Sequence, residues 1–222
     1  MHPKHLFASV FAMFALLTNA SAEARSPYAG HYRIANGPDM GGGLELAADG
    51  HFRYSRSEGA LDEHAEGTWT ETGGDIRLTT APKPVPPSFA RGPDGGKEAP
   101  TIHVRLADGR DLAGIDFRLG LTNGTSVAGY TQAEGWSFRE SQPKSAKPRI
   151  AWVEVVEPIY GVVSPRFMID PPAAGALVFV LTLNDIEVVD FQNAQLERRF
   201  DDFLLHRGDR TLRMVREKQV AF

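Results

Sequence analysis

Apolar and polar residues alternate at every second position along much of this chain. That is the pattern of strands with one face buried and the other wet. In His51-Phe52-Arg53-Tyr54 the two aromatics share a parity, directly after the turn pair Asp49-Gly50. Thr68-Trp69-Thr70 and Ile76-Arg77-Leu78-Thr79 repeat the pattern on either side of Gly73-Gly74-Asp75. Ile102, Val104 and Leu106 alternate with His103 and Arg105 up to Asp108-Gly109. Ile115, Phe117 and Leu119 alternate with Asp116 and Arg118 ahead of Asn123-Gly124. Turn pairs set between alternating runs predict antiparallel hairpins.

The later segments are more apolar. Residues 150–156 set Trp152 on one face and Val153 and Val155 on the other, and 177–183 are apolar on both faces, as a central strand packed between layers would be. Phe203-Leu204-Leu205 and Leu212-Arg213-Met214-Val215 flank His206-Arg207-Gly208-Asp209 and predict a closing hairpin. Residues 193–203 fit a short helix, with Leu196 and Phe200 four apart, or a strand, with Leu196, Arg198 and Phe200 in parity. Elsewhere Gly and Pro interrupt every window of helical length. The expected fold is all-β: antiparallel β-sandwich or barrel-like sheets, in one or two packed modules, with at most one or two short helices.

Prolines divide the chain. Pro82, Pro84, Pro86, Pro87, Pro93 and Pro100 fall in one stretch with Gly92, Gly95 and Gly96, and a residue without an N–H cannot donate to a ladder. The expected organisation is therefore an N-terminal β module over 23–81, a linker or long loop over 82–100, and a sandwich-like C-terminal module over 101–222. A second soft stretch, 141–148, holds Pro143 and Pro148.

The first residues point to a compartment. Lys4 and the amino terminus precede an apolar run over 6–17, and Ala20-Ser21-Ala22 has the small-residue spacing of a signal peptidase site. Residues 1–22 are expected to be a signal peptide, and the mature chain to be periplasmic or secreted. The remaining apolar runs are too short to span a bilayer, so no integral membrane segment is expected after cleavage. The formal charge is -4, with basic and acidic residues interleaved. Nucleic acid, which selects a concentrated basic surface, is not an expected partner. With no cysteine in the chain, disulfides, thiol catalysis and cysteine metal sites are excluded.

Two groups of hairpin signals carry resemblances. Gly30-His31-Tyr32, Leu44-Glu45-Leu46, Asp49-Gly50-His51-Phe52, Gly67-Thr68-Trp69 and Ile76-Arg77-Leu78 make residues 28–80 resemble the small lipocalin-like, up-and-down modules of exported bacterial all-β proteins. That likeness implies an interior either packed solid or holding a small apolar ligand, although 28–80 is too short for all eight strands of a lipocalin barrel. Ile102-His103-Val104, Asp108-Gly109-Arg110, Leu112-Ala113-Gly114-Ile115, Gly129-Tyr130-Thr131-Gln132 and Gly135-Trp136 are similar to transthyretin-like and carboxypeptidase-regulatory-like modules. Those modules imply an accessory or structural role.

Candidate chemistry is sparse. There is no Gly-x-Ser-x-Gly elbow, no His-Glu-x-x-His and no phosphate loop, and Gly41-Gly42-Gly43 reads as a hairpin turn. No catalytic or cofactor-binding residue is assigned. Asp62, Glu63 and His64, in a polar run read as a solvated loop, and Asp185, Glu187 and Asp190, read as a wet strand face, are the candidate metal ligands. Carboxylates beside an imidazole can coordinate a cation or move a proton. Tyr54, Trp69 and Trp136 are candidate ligand-stacking aromatics, against the reading that they fill a core. The sequence thus favours an exported, non-enzymatic binding, structural or accessory protein of the cell envelope. Its expected partner is another envelope protein, a carbohydrate or an apolar ligand. The alternative is a hydrolase of envelope carbohydrate acting through carboxylates of both acidic groups. Pairing through an exposed strand edge at 149–156 or 177–183 would favour an assembly partner.

Overall fold

The computed structural model describes residues 26–93, 95, 101–137, 149–173 and 176–218. The expected signal peptide and the Pro143–Pro148 stretch lie outside the described residues. Those described are all-β, with no helix among them.

A closed eight-stranded barrel is built from both ends of the chain. Its first five strands are β1 (Gly30–Ile34), β2 (Met40–Leu46), β3 (His51–Glu58), β4 (Leu61–Thr72) and β5 (Asp75–Thr80). Its last three, beyond a long insertion, are β15 (Ala194–Arg199), β16 (Asp202–Arg207) and β17 (Arg210–Arg216). Every neighbour is antiparallel, and the closures pair Leu196 with Ile76 and Arg33 with Val215. Around the barrel the strands follow chain order, an up-and-down meander in which closure leaves no edge. The pairing thus crosses the division expected between 23–81 and 101–222. Five strands from 28–80 are too few to close, and the C-terminal three complete the sheet.

The insertion forms two further sheets. One runs β10 (Trp136–Ser137), β7 (Thr101–Leu106), β14 (Leu177–Thr182), β6 (Ser88–Arg91), with β7 and β14 parallel. The other orders β12 (Val162–Val163), β11 (Ile150–Glu157), β8 (Asp116–Leu121) and β9 (Ser126–Tyr130), with β13 (Phe167–Ala173) also on β11. Ile102, Val104, Leu177, Phe179 and Leu181 of the first pack with Phe117, Leu119, Val153 and Val155 of the second in one buried cluster. This is a sandwich core, separate from that of the barrel. β6 lies inside the stretch expected to be linker: Phe89 is buried and pairs with Leu181. Segments 149–156 and 177–183 are interior to their sheets, so neither offers the open edge considered from sequence.

The barrel core follows the alternation. Tyr32, Leu44, Leu46, Phe52, Tyr54, Trp69, Ile76, Leu78, Leu196, Phe203, Leu205, Leu212 and Met214 point inward and fill it. His31, Arg53 and Thr68 face out. A polar outside around an apolar inside is the reverse of a lipid-embedded barrel. Among the described residues no helix is long and apolar enough to cross a membrane.

Two local expectations change. Residues 193–203 form the β15–β16 hairpin, and Phe200, at φ +59, sits 93% exposed in the turn while Leu196 is buried. Gly41-Gly42-Gly43 lies within β2 and is no turn. A Cβ on Gly42 would run into the carbonyl of Ser55 on β3, so close strand approach requires glycine there.

The two passages between barrel and sandwich run side by side and are laced together. The Thr80 hydroxyl donates to the Val189 carbonyl at 2.8 Å and accepts from the Phe191 N–H at 2.9 Å. The Thr80 N–H donates to the Phe191 carbonyl at 2.9 Å. Farther out, Val85 N–H donates to the Asp185 carboxylate at 2.7 Å, and the Asn184 amide to the Pro86 carbonyl at 2.8 Å. Prolines present carbonyls without N–H donors, so side chains supply part of what holds this passage, beside the backbone bond from the Asp185 N–H to the Val85 carbonyl at 3.1 Å.

Candidate functional site

Inward-facing positions remain apolar along most of β3, β4 and β16 and then turn charged at one mouth of the barrel. On β3 the inward series is Phe52, Tyr54, Arg56; on β4, Trp69, Gly67, Ala65, Glu63; on β16, Phe203, Leu205, Arg207. Parity therefore sends three charges across the mouth. Arg207 grips Glu63 bidentately, Nη1 to Oε2 at 2.6 Å and Nη2 to Oε1 at 3.1 Å. Its Nη1 also lies 3.5 Å from the Tyr54 hydroxyl. Arg56 Nε lies 3.4 Å from Glu63 Oε2, and Arg56 Nη2 3.5 Å from Glu58 Oε2. Arg210 Nη1 donates to that same Glu58 oxygen at 3.0 Å. The result is a ladder of alternating charge, Arg210–Glu58–Arg56–Glu63–Arg207, with one more cation than anion.

Electrostatics follow from the geometry. Burial lowers the Arg207 pKa, but the hydrogen bonds and charge of Glu63 outweigh it, and the guanidinium ends above its ordinary value. Burial pushes the Tyr54 hydroxyl up, only partly offset by the charge of Arg207. Tyr54 thus stays a neutral phenol at the floor of the ladder.

Above the ladder lies a groove of about 790 Å³ between the barrel mouth and the sandwich. Arg56, Glu63, Arg207 and Arg210 line it from the barrel, residues 186–191 from the returning passage, and residues 158–161 from the sandwich. The last wall is set by Glu157, whose carboxylate accepts the N–H groups of Ile159 at 3.1 Å and Tyr160 at 2.8 Å. The Tyr160 hydroxyl then donates to the Asp62 carbonyl at 3.2 Å, tying this turn to β4.

The structure brings the two acidic groups together by their backbones. His64 N–H donates to the Glu187 carbonyl, and Val189 N–H to the His64 carbonyl, each at 2.9 Å. Glu63, Glu187 and Asp190 consequently line one groove, whereas Asp62 and His64 are exposed on the outward side of β4. The run expected to be a loop is a tight hairpin, β3 to Glu58 and β4 from Leu61, because Gly59 takes φ +60 in the turn. The expected strand carrying Asp185 and Glu187 is instead a turn, with Asn184 at φ 44 and the Val188 N–H bonded to the Asp185 carbonyl. Asp185 serves the Val85 N–H. Among the described residues no three His, Asp or Glu side chains converge as a metal site.

The aromatic candidates separate. Tyr54 and Trp69 belong to the barrel core, where the Trp69 indole N–H donates to the Ala47 carbonyl at 2.9 Å. Trp136 packs against Phe117 in the sandwich, ring centroids 4.9 Å apart. The groove residues that sequence reasoning passed over are Arg56, Arg207 and Arg210. Their signal was present: Arg56 and Arg207 continue the apolar parity of Phe52-Tyr54 and Phe203-Leu205, the mark of an inward-pointing charge. No family model matches this chain, and neither a curated protein nor a solved structure is similar enough to match it.

Proposed function

We propose that this is an exported, non-enzymatic binding or accessory protein of the cell envelope, and that the groove at the barrel mouth is its ligand site. The observation that carries the reading is Arg56: a guanidinium 4% exposed, lining the groove, with Nε unbonded among the described residues. Buried charged donors are ordinarily saturated, and sites that hold them open are used for recognition. The signal-like residues 1–22 and the absence of cysteine support export without needing oxidative folding. The test is fractionation of the producing cell with intact mass measurement. A chain beginning at Glu23 in the periplasm or medium, retaining a small molecule that Arg56→Lys loses, is the expected result. A cytoplasmic chain with residues 1–22 intact sinks the export half.

Hydrolysis of envelope carbohydrate is the second reading, favoured by the meeting of Glu63, Glu187 and Asp190 in one groove. Against it, both Glu63 oxygens are engaged by Arg207, which leaves that carboxylate poorly placed as nucleophile or proton donor. Release of reducing sugar from purified peptidoglycan, lost in Glu187→Gln and Asp190→Asn, would establish it over binding alone.

A further inference from the structure

We infer that two copies of this chain join through the free edge of β9, strand against antiparallel strand, about a two-fold axis at Ala128. In the β8–β9 ladder the Leu121 N–H donates to the Thr125 carbonyl at 2.8 Å and the Thr131 N–H to the Ile115 carbonyl at 2.9 Å. The register is unbroken between those pairs, so Thr125, Val127, Gly129 and Thr131 turn their main-chain groups toward β8. Ser126, Ala128 and Tyr130 turn theirs away, and all three residues are exposed. Among the described residues no strand pairs with that outer side. Natural sheets blunt such edges with charge, proline, bulges or brevity. The other edges of the sandwich follow the rule. β10 and β12 are two residues long, β6 is four residues long behind Pro86-Pro87, and β13 carries Asp170, Pro171 and Pro172. β9 has none of these devices. From Leu119 to Ala133 the chain holds no Asp, Glu, Lys, Arg or His, although 23% of all its residues are Asp, Glu, Lys or Arg.

The sequence of β9 complements itself. With Ala128 facing Ala128 of the other copy, Ser126 falls opposite Tyr130 and Val127 opposite Gly129, and the outward main-chain groups of all three exposed residues find partners. Val127 and Gly129 then form non-hydrogen-bonded pairs, where side chains approach most closely, so bulk meets none. Gly129 is held to that size within its own copy, because a Cβ there would lie 2.8 Å from the Phe117 ring. On the outer face Tyr130 is 57% exposed. Across the axis it would lie over Ser126, whose β8 partner, Gly120, is covered by the Trp152 indole. The two rings then extend one apolar row. A foreign strand is ordinarily selected by charge across the seam, and this edge offers none, whereas a second copy brings matching shape. Each copy has one such sandwich edge among the described residues, so the pairing closes at two. Strands of five residues bury less than the roughly 1,200 Å² of a standard stable interface, so the dimer exchanges with monomer. None of this involves the groove at the barrel mouth.

The experiment is sedimentation equilibrium of the chain as the producing cell makes it, from low micromolar to near-millimolar concentration. The mass is expected to rise from one chain and level off at two. Ala128→Pro removes an N–H that β8 does not use and that the axis needs, and proline is tolerated on an edge strand facing that way. It is expected to weaken the dimer at least about tenfold. Ala128→Lys, on the wet face, sets two ammonium groups beside the axis and is expected to weaken it similarly, with recovery in high salt. Both variants should melt as the parent does where the parent is monomeric, and if Ala128→Pro fails to fold, Ala128→Lys decides. A single-chain mass at every concentration overturns the proposal. So does a dimer that a folded variant leaves unchanged, which places the contact elsewhere, or a mass that climbs past two without levelling.

Discussion

Glu63 and Arg207 are 144 residues apart in the chain and join by two hydrogen bonds across the barrel mouth. Each follows inward parity on a strand from a different end of the chain. Their pairing therefore reports closure of the barrel, and its strength depends on the shielding given by Phe191, whose ring lies 5.8 Å beneath the Arg207 guanidinium.

Removing the carboxylate charge should be costly. Glu63→Gln leaves Arg56 and Arg207 facing each other with less compensation, and we expect a loss of about 2–4 kcal/mol, below the full cost for a deeply buried pair because Arg207 keeps some exposure. Urea denaturation followed by tryptophan fluorescence measures it. A change within about 0.5 kcal/mol, the range of ordinary surface substitutions, would mean that the pair is solvated in solution.

Thr80→Val tests the lacing of the two passages. The replacement keeps shape and strips the hydroxyl that serves Val189 and Phe191. An expected loss of about 1–3 kcal/mol follows from leaving the Phe191 N–H and the Val189 carbonyl less satisfied. Hydrogen exchange should show the Phe191 amide losing protection first.

Gly120→Ala addresses the outer face of the sandwich. A Cβ at Gly120 would occupy the place of the Trp152 indole, which lies over it with the Arg166 guanidinium 4.1 Å from the ring centroid. The indole must move, and we expect a shift in tryptophan emission with a loss of about 1–3 kcal/mol. Unchanged emission would show that the indole does not lie there.

Asp111 gives an acid-side prediction. The hydrogen bond from Arg105 at 2.8 Å holds its carboxyl below the ordinary aspartate value, with His103 adding to the effect. A carboxyl depressed in the folded state stabilises fully above its unfolded pKa, about 3.9, and loses that contribution as pH falls through the lower folded value. Asp111→Asn should therefore cost about 0.5–1 kcal/mol at pH 7 and nothing once both states are protonated. Thermal melts at pH 7 and pH 2.5 should show the difference between variant and parent shrink.

Barrel closure can be tested with fragments. Residues 23–81 alone leave β1 and β5 without their outer partners, so this piece should show no cooperative melt. Co-expression with residues 190–218 should restore one. Cooperative unfolding of 23–81 by itself would show that five strands suffice.

The sequence by itself determined the strands, their faces and most turns, because these depend on a period of two residues and on turn chemistry. Phe52 and Tyr54, Ile76 and Leu78, and Phe117 and Leu119 are buried as their alternation requires, and Gly50, Gly109 and Gly124 take the positive φ their turn pairs imply. Where local pattern was ambiguous, tertiary structure decided: residues 193–203 became a hairpin because Leu196 pairs with Ile76 and Leu205. Only the tertiary structure decided that β5 pairs with β15 beyond a sandwich inserted between them. Any half-buried strand satisfies alternation, and the choice of partner is made by closing an edge that would otherwise stay open. The same holds for the groove. Arg56, Glu63 and Arg207 each showed an inward parity, but a charge becomes part of a site only when closure brings its partners within reach and excludes water between them.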